Sequence, residues 1–193
     1  MAHPSLSESS EHTRVIRICV TGPECTGKTT LAHRLAAHFG AEHVPEAARL
    51  YAERTNRELT SADVEIIAAE HITMADDAAR RVIDRGGGAI VFDTDLVSTV
   101  VYAKDYYNFA STWLEDEERH RRADLYLLCD VDVPWVSDGI RDRPSDRVTM
   151  FNLFANTLAA REAHVTVVRG DWDARWQVAV TACRALLGAG EYR

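Results

Sequence analysis

A chain of 193 residues, 46% hydrophobic and 27% charged, has the size and composition of one globular domain with a substantial core. Its net charge of -8 argues against a general nucleic-acid binder, which needs a surplus of basic surface, but leaves room for a local basic pocket. Cys19, Cys25, Cys129 and Cys183 are far apart with no C-x-x-C pair, so buried thiols are expected rather than disulfides or a metal site. No apolar run is long enough to span a membrane.

Residues 1–13 are rich in Ser, Glu and His and lack the apolar region of a secretory signal. They read as a disordered leader before a single domain at 14–193, with the reducing cytoplasm as the expected compartment. Residues 15–20 form a short apolar run that predicts a strand. Gly22-Pro23-Glu24-Cys25-Thr26-Gly27-Lys28-Thr29 follows and fits G-x-x-x-x-G-K-[ST], a phosphate-binding loop. Leu31, Leu35 and Phe39 then recur at helical spacing. Strand, glycine loop and helix in that order are the context the motif requires. Gly22 and Gly27 let the backbone turn its N–H groups toward phosphate oxygens, and the helix N-terminus adds a field that favours anions. Lys28 is expected at the phosphates and the Thr29 hydroxyl at a Mg²⁺ position, with Glu24, Cys25, Thr26 and Thr30 completing the nucleotide contacts. Only Lys28 and Lys104 are lysines, so a lysine here suits a point-charge phosphate contact.

Further along, residues 42–45 read as a second strand ending at Glu46, and 47–54 as helix. Thr60-Ser61-Ala62-Asp63 offers a helix start before Val64, Ile67, Ala68, His71 and Met74, with the helix running to about 84 and stopping at the glycines 86–88. Strand 89–93, helices 96–107 and 111–122, strand 125–129, helix 148–161, strand 164–168 and helix 172–187 complete the chain. Strands alternating with helices predict an α/β three-layer sandwich, a parallel sheet covered on both faces, with ligands at the carboxyl ends of the strands.

The charged residues after those strands carry two readings each. Asp93 ends an apolar run, the form of the carboxylate that holds Mg²⁺ or its water shell. Asp95 is a second oxygen ligand there or the N-cap of the next helix. Glu46 takes a proton from a substrate hydroxyl or complements a helix dipole. Arg141 and Arg143 neutralise transferring phosphate from a closing lid, or pair with Asp142 and Asp146 in a solvated loop. Trp135 is a stacking surface for a flat ring or a packing residue. The Arg119-His120-Arg121-Arg122 run after Glu115 to Glu118 reads as charge pairs on a wet helix face. The eight histidines show no metal-ligand spacing.

The segments 21–32, Val44-Pro45-Glu46-Ala47-Ala48-Arg49, Val91-Phe92-Asp93-Thr94-Asp95, 124–128 and, most distinctively, 133–142 together resemble the ribosylnicotinamide kinase domain of NadR-type proteins, a branch of the P-loop nucleoside and nucleotide kinases. The resemblance covers about 15–180. It implies a five-stranded parallel sheet with a short lid, and transfer of a phosphoryl group from ATP to the ribose 5′-hydroxyl of nicotinamide riboside. By position it places Lys28 and Thr29 on phosphate and Mg²⁺, Asp93 on the metal, Glu46 and Asp95 facing the ribose with Arg49 in the substrate set, Arg141 and Arg143 on the lid, Gly170 near adenine, and Trp135 along the nicotinamide. Two positions depart from the family: Ala47 stands where an aromatic is usual, and His71 where a glutamine is usual. The adenylyltransferase and DNA-binding domains of longer members are not expected here. Another small acceptor on the same fold, and a nucleotide-binding regulator that hydrolyses ATP slowly and acts through a partner, remain the alternative functions. The expected partner is a small nucleoside, with neither nucleic acid nor membrane.

Overall fold

The computed structural model describes residues 14–134 and 146–188. Five strands, β1 (Val15–Thr21), β2 (Glu42–Val44), β3 (Gly88–Asp93), β4 (Leu125–Cys129) and β5 (Val165–Val168), form one parallel sheet in the order β2-β3-β1-β4-β5. The α-helices of the described residues are α1 (Lys28–Phe39), α2 (Ala47–Thr55), α3 (Val64–Asp84), α4 (Leu96–Tyr107), α5 (Thr112–His120), α6 (Arg147–Ala160) and α7 (Trp172–Gly188), with a 3₁₀ turn at Ser61–Asp63. Parallel neighbours need crossover connections, and the helices supply them. The expected α/β three-layer architecture and five-stranded sheet are observed, with element ends within about two residues of those read from the sequence. The expected leader and lid lie outside the described residues.

Alternation along the strands explains the two-sided core. Ile16, Ile18 and Val20 of β1, with Leu125 and Leu127 of β4, pack against Leu31 and Leu35 of α1 and Ala179, Val180 and Cys183 of α7. Their neighbours Cys19, Tyr126 and Leu128 point to the other face, with Ile90 and Phe92 of β3. There they meet Ala75, Ala78 and Val82 of α3, Val97 and Val101 of α4, and Met150, Phe154 and Leu158 of α6. The period of two sends successive residues to opposite layers, so both faces must be apolar.

Local chemistry fixes where the site-bearing helices begin. Thr60 and Asp63 form a capping box ahead of α3. Arg57 grips Asp63 through two bonds of 2.7 Å, and Tyr51 donates to it at 2.8 Å. One expectation changes: the acidic-then-basic α5 segment is not wholly a wet face. Arg119 pairs with Asp116 at the surface, but Glu118 is 1% exposed, facing Arg161 at 2.7 and 2.8 Å and Arg122 at 3.7 Å. A carboxylate at that depth needs such partners.

With β1 central, the chain travels first toward β2 and β3 and then to β4 and β5. The loop after β1 therefore lies where connections diverge to either side, the position at which open α/β sheets bind ligands.

Candidate nucleotide and acceptor site

The glycine loop joins β1 to α1 under tight steric control. Gly22 has φ +129°, and a Cβ there would stand 2.8 Å from the carbonyl oxygen of Cys129. Gly27 has φ +80°, and a Cβ there would stand 2.5 Å from the ring of Trp172. Both positions favour glycine for conformation, and Gly22 requires it for space as well, because its close neighbour is backbone. Lys28, buried at the start of α1, donates from Nζ to the Pro23 carbonyl at 2.7 Å, and the Thr26 hydroxyl donates to the same oxygen at 2.8 Å. The loop carries its cation inside its own curve, where an anion would sit.

Thr29, exposed on the first turn of α1 beside the exposed Thr30, donates from Oγ1 to Asp93 Oδ2 at 2.7 Å. The other carboxylate oxygen of Asp93, Oδ1, is buried with no hydrogen-bond partner. Burial raises the Asp93 pKa despite the Thr29 bond. A buried carboxylate oxygen without a donor, next to a hydroxyl, fits the needs of a hard divalent cation such as Mg²⁺ that also takes oxygens from phosphate.

A cavity of about 960 Å³ opens beside this pair, with Glu46, Asp95, Thr94, Ser98 and His71 in its wall. Glu46 is 7% exposed at the N-terminus of α2, and Arg49 reaches to 3.7 Å from it. Asp95, also 7% exposed, is the N-cap of α4 and stands in the cavity wall. Its Oδ1 accepts the Val97 amide at 3.0 Å and so caps α4, its Oδ2 accepts the Tyr126 hydroxyl at 2.8 Å, and it lines the cavity. Burial, outweighing those bonds, pushes its pKa up to about 6. His71, 5% exposed, has its pKa lowered to about 4 by burial and then by the nearby Arg17 and Arg121, so its imidazole is neutral at physiological pH. Glu24 at the loop and Tyr102, Tyr106 and Tyr107 of α4 also face the cavity, and Tyr106 donates to Glu24 at 3.3 Å. On the far side of the loop, Gly170 has φ +94° and its amide donates to Asp132. Trp135, Arg141 and Arg143 lie outside the described residues.

Residues 17–175 match the AAA domain family. The chain belongs to this family of P-loop domains. It is 28% identical over 178 residues to the trifunctional NAD biosynthesis/regulator protein NadR of Salmonella typhimurium (strain LT2) and to that of Escherichia coli (strain K12), covering 89% of this chain and 42% of each relative. The chain thus spans less than half the length of those relatives. Among solved structures, NadR in complex with NAD and AMP-PNP is 26% identical with a TM-score of 0.71, covering 90% of this chain and 50% of that one. NadR in complex with NR is 27% identical with a TM-score of 0.67, covering 89% and 51%. A thymidylate kinase from Ehrlichia chaffeensis, 15% identical with a TM-score of 0.60 over 89% of this chain and 98% of that one, shares the fold. This AAA-family chain is therefore a nucleotide-binding P-loop domain related to NadR. Among its described residues no helix is long and apolar enough to cross a membrane.

Sequence reasoning missed three supports of this P-loop domain's site. Tyr126 stands in an apolar strand run, where its hydroxyl must find a partner once buried, and that partner is Asp95. Arg147 opens α6 and donates to the Cys25 carbonyl at 3.3 Å. Arg175 is 1% exposed on α7, in one stripe with Ala179 and Cys183 at steps of four. A charged residue on the apolar stripe of a helix was the available signal for it.

Proposed function

We propose that this chain is a Mg²⁺-dependent kinase that moves the γ-phosphoryl group of ATP to the 5′-hydroxyl of nicotinamide riboside, giving nicotinamide mononucleotide and ADP. The observation that carries the reading is the junction between the phosphate loop and an acid-walled cavity at adjacent strand ends. Glu24 of the loop lines that cavity, the Thr29–Asp93 bond lies at the end of β3, and Glu46 and Asp95, both in the cavity wall, follow the ends of β2 and β3. A mere nucleotide clamp has no need of buried carboxylates on the side where an acceptor would enter.

In this reading the loop amides and Lys28 hold the phosphates, and Lys28 meets charge that grows on the transferring group. Thr29 and Asp93 would hold the Mg²⁺, which supplies charge neutralisation for the phosphate oxygens when bound. Asp95 or Glu46 orients the acceptor hydroxyl and takes its proton as the oxygen attacks phosphorus. The new P–O bond forms while the bond to ADP breaks. A carboxylate with a pKa near 6 is well matched to accept a proton near neutral pH. Cavity walls that combine Glu46, Asp95 and Glu24 with tyrosines Tyr102 and Tyr106 suit a flat, positively charged ring. The kinship with NadR, one of whose solved complexes contains NR, supports the same acceptor.

The test is a competition assay with equal concentrations of nicotinamide riboside, uridine, cytidine and thymidine, products read by mass and ADP measured in parallel. Nicotinamide riboside should dominate. Preferred use of a pyrimidine nucleoside overturns the acceptor and leaves the kinase. ADP release without any phosphorylated nucleoside overturns transfer and favours a regulatory ATPase.

A further inference from the structure

Two consecutive carbonyl oxygens of the phosphate loop, those of Cys25 and Thr26, are gripped by arginines from outside the phosphate pocket. Arg147 donates to Cys25 at 3.3 Å and to Val133 at 3.2 Å. Arg175 reaches further: Nη1 to the Thr26 carbonyl at 3.0 Å, Nη2 to the Asp130 carbonyl at 2.9 Å and to the Asp132 carboxylate, and Nε to the Gly170 carbonyl at 2.9 Å. One buried guanidinium thus ties the loop after β1 to the segment after β4 and to the turn after β5.

Peptide planarity gives these contacts a consequence. In a trans peptide the C=O of one residue and the N–H of the next point in opposite directions. No described peptide is cis. A cation that holds the Thr26 carbonyl on the α7 side therefore turns the Gly27 N–H the other way. Arg147 does the same for the Thr26 N–H through the Cys25 carbonyl. A positive charge on the oxygen also polarises the peptide and makes its N–H a stronger donor. An arginine kept solely for packing would not need four acceptors in three segments, since a buried charge is costly and apolar replacements pack as well.

We propose that Arg175 is a positioning residue: it pre-orients and polarises the phosphate-loop amides toward the nucleotide's phosphates, with Asp132 as its anchor and Arg147 as the weaker second strap. This rests on the nucleotide-binding reading of the loop and not on the identity of the acceptor. Arg175→Lys keeps the charge and most of the stem, but one ammonium cannot serve four acceptors in a fork geometry. Asp132→Asn, altered at a side chain 36% exposed, weakens the anchor and leaves Arg175 in place.

The probe is inorganic tripolyphosphate with Mg²⁺, which has no base or sugar, titrated calorimetrically beside ATP. Arg175→Lys should weaken tripolyphosphate and ATP by the same factor, about tenfold, the worth of one charged hydrogen bond. Asp132→Asn should weaken both about threefold. In turnover, KM for ATP should rise while KM for the acceptor stays put, whereas loss of folded protein would lower only the apparent kcat. Wild-type affinity for tripolyphosphate in either folded variant overturns the proposal, as does a loss confined to ATP, which would restrict Arg175 to the base side. If Arg175→Lys does not fold, Asp132→Asn decides. Failure of the wild-type chain to bind ATP overturns the nucleotide reading itself.

Discussion

The pKa of Asp95, pushed up to about 6 by burial, makes a quantitative demand on the reaction. If the ionised carboxylate orients and deprotonates the acceptor hydroxyl, kcat/KM follows its ionised fraction. That fraction is about 0.9 at pH 7 and about 0.1 at pH 5, a tenfold fall over two units. His71 does not enter this window, because its pKa is held near 4. Asp93 is raised too, so a limb alone does not identify Asp95. Tyr126→Phe separates the two, since the Tyr126 hydroxyl donates to Asp95 and not to Asp93. Its loss removes a bond that favours the carboxylate, and the limb should move to higher pH by about one unit, the worth of about 1.5 kcal/mol. Stability gives a second measurement with the opposite dependence. A carboxyl group whose folded pKa lies above its unfolded value stabilises the protein at low pH and loses that contribution as pH rises from about 4 through about 6. Asp95→Asn, which does not titrate, should gain roughly 2 kcal/mol relative to wild type between pH 4 and pH 7, read from paired denaturant melts. A rate flat from pH 5 to 8, or a limb that Tyr126→Phe leaves unmoved, refutes the reasoning.

Lys28→Ala should leave a folded chain and lower turnover by about two orders of magnitude or more, the scale of removing one transition-state charge contact, measured by ADP release. Gly22→Ala should cost about 2 kcal/mol or more in a denaturant melt, because its Cβ would press on the Cys129 backbone at 2.8 Å, where no flexible side chain can yield. Cys19, Cys129 and Cys183 are buried while Cys25 is intermediate in exposure, so a maleimide should label Cys25 first, and Mg·ATP should slow that labelling.

The fold was legible because its signals are local and repeated. Each strand is a short apolar run, each helix has its stripe, and the crossover rule turns their alternation into a parallel sheet. The glycine loop was legible because its residues are contiguous. Glu46 and Asp95 were singled out by a topological argument, that ligands sit at strand ends, rather than by any local pattern, and the structure places both in the cavity wall. What the sequence concealed is contact between distant segments. Nothing near Arg175 signals that it reaches back 149 positions to Thr26. Nothing near Tyr126 says which of many polar groups will receive its hydroxyl. The charge run of α5 misled in part because wet and buried carboxylates look identical until Arg161 is packed against Glu118.

Under the proposed function, the same carboxylate would distinguish a cationic acceptor from a neutral one. The pH dependence of kcat/KM reports the free enzyme, and that of kcat reports the complex with acceptor bound. A positive ring held about 8 Å from Asp95, at an effective dielectric constant of about 20, would favour the ionised carboxylate by about 2 kcal/mol, or about one and a half pH units. With nicotinamide riboside the kcat limb should therefore lie well below the kcat/KM limb. With a neutral nucleoside the two limbs should differ little, because a neutral ring brings desolvation without charge. By linkage, the affinity for nicotinamide riboside should then rise with pH across the titration of Asp95, while that for uridine should not. Coincident limbs for nicotinamide riboside would mean that its ring does not approach Asp95, and the acid-walled cavity would lose its role in selecting a cation even if transfer itself proceeds.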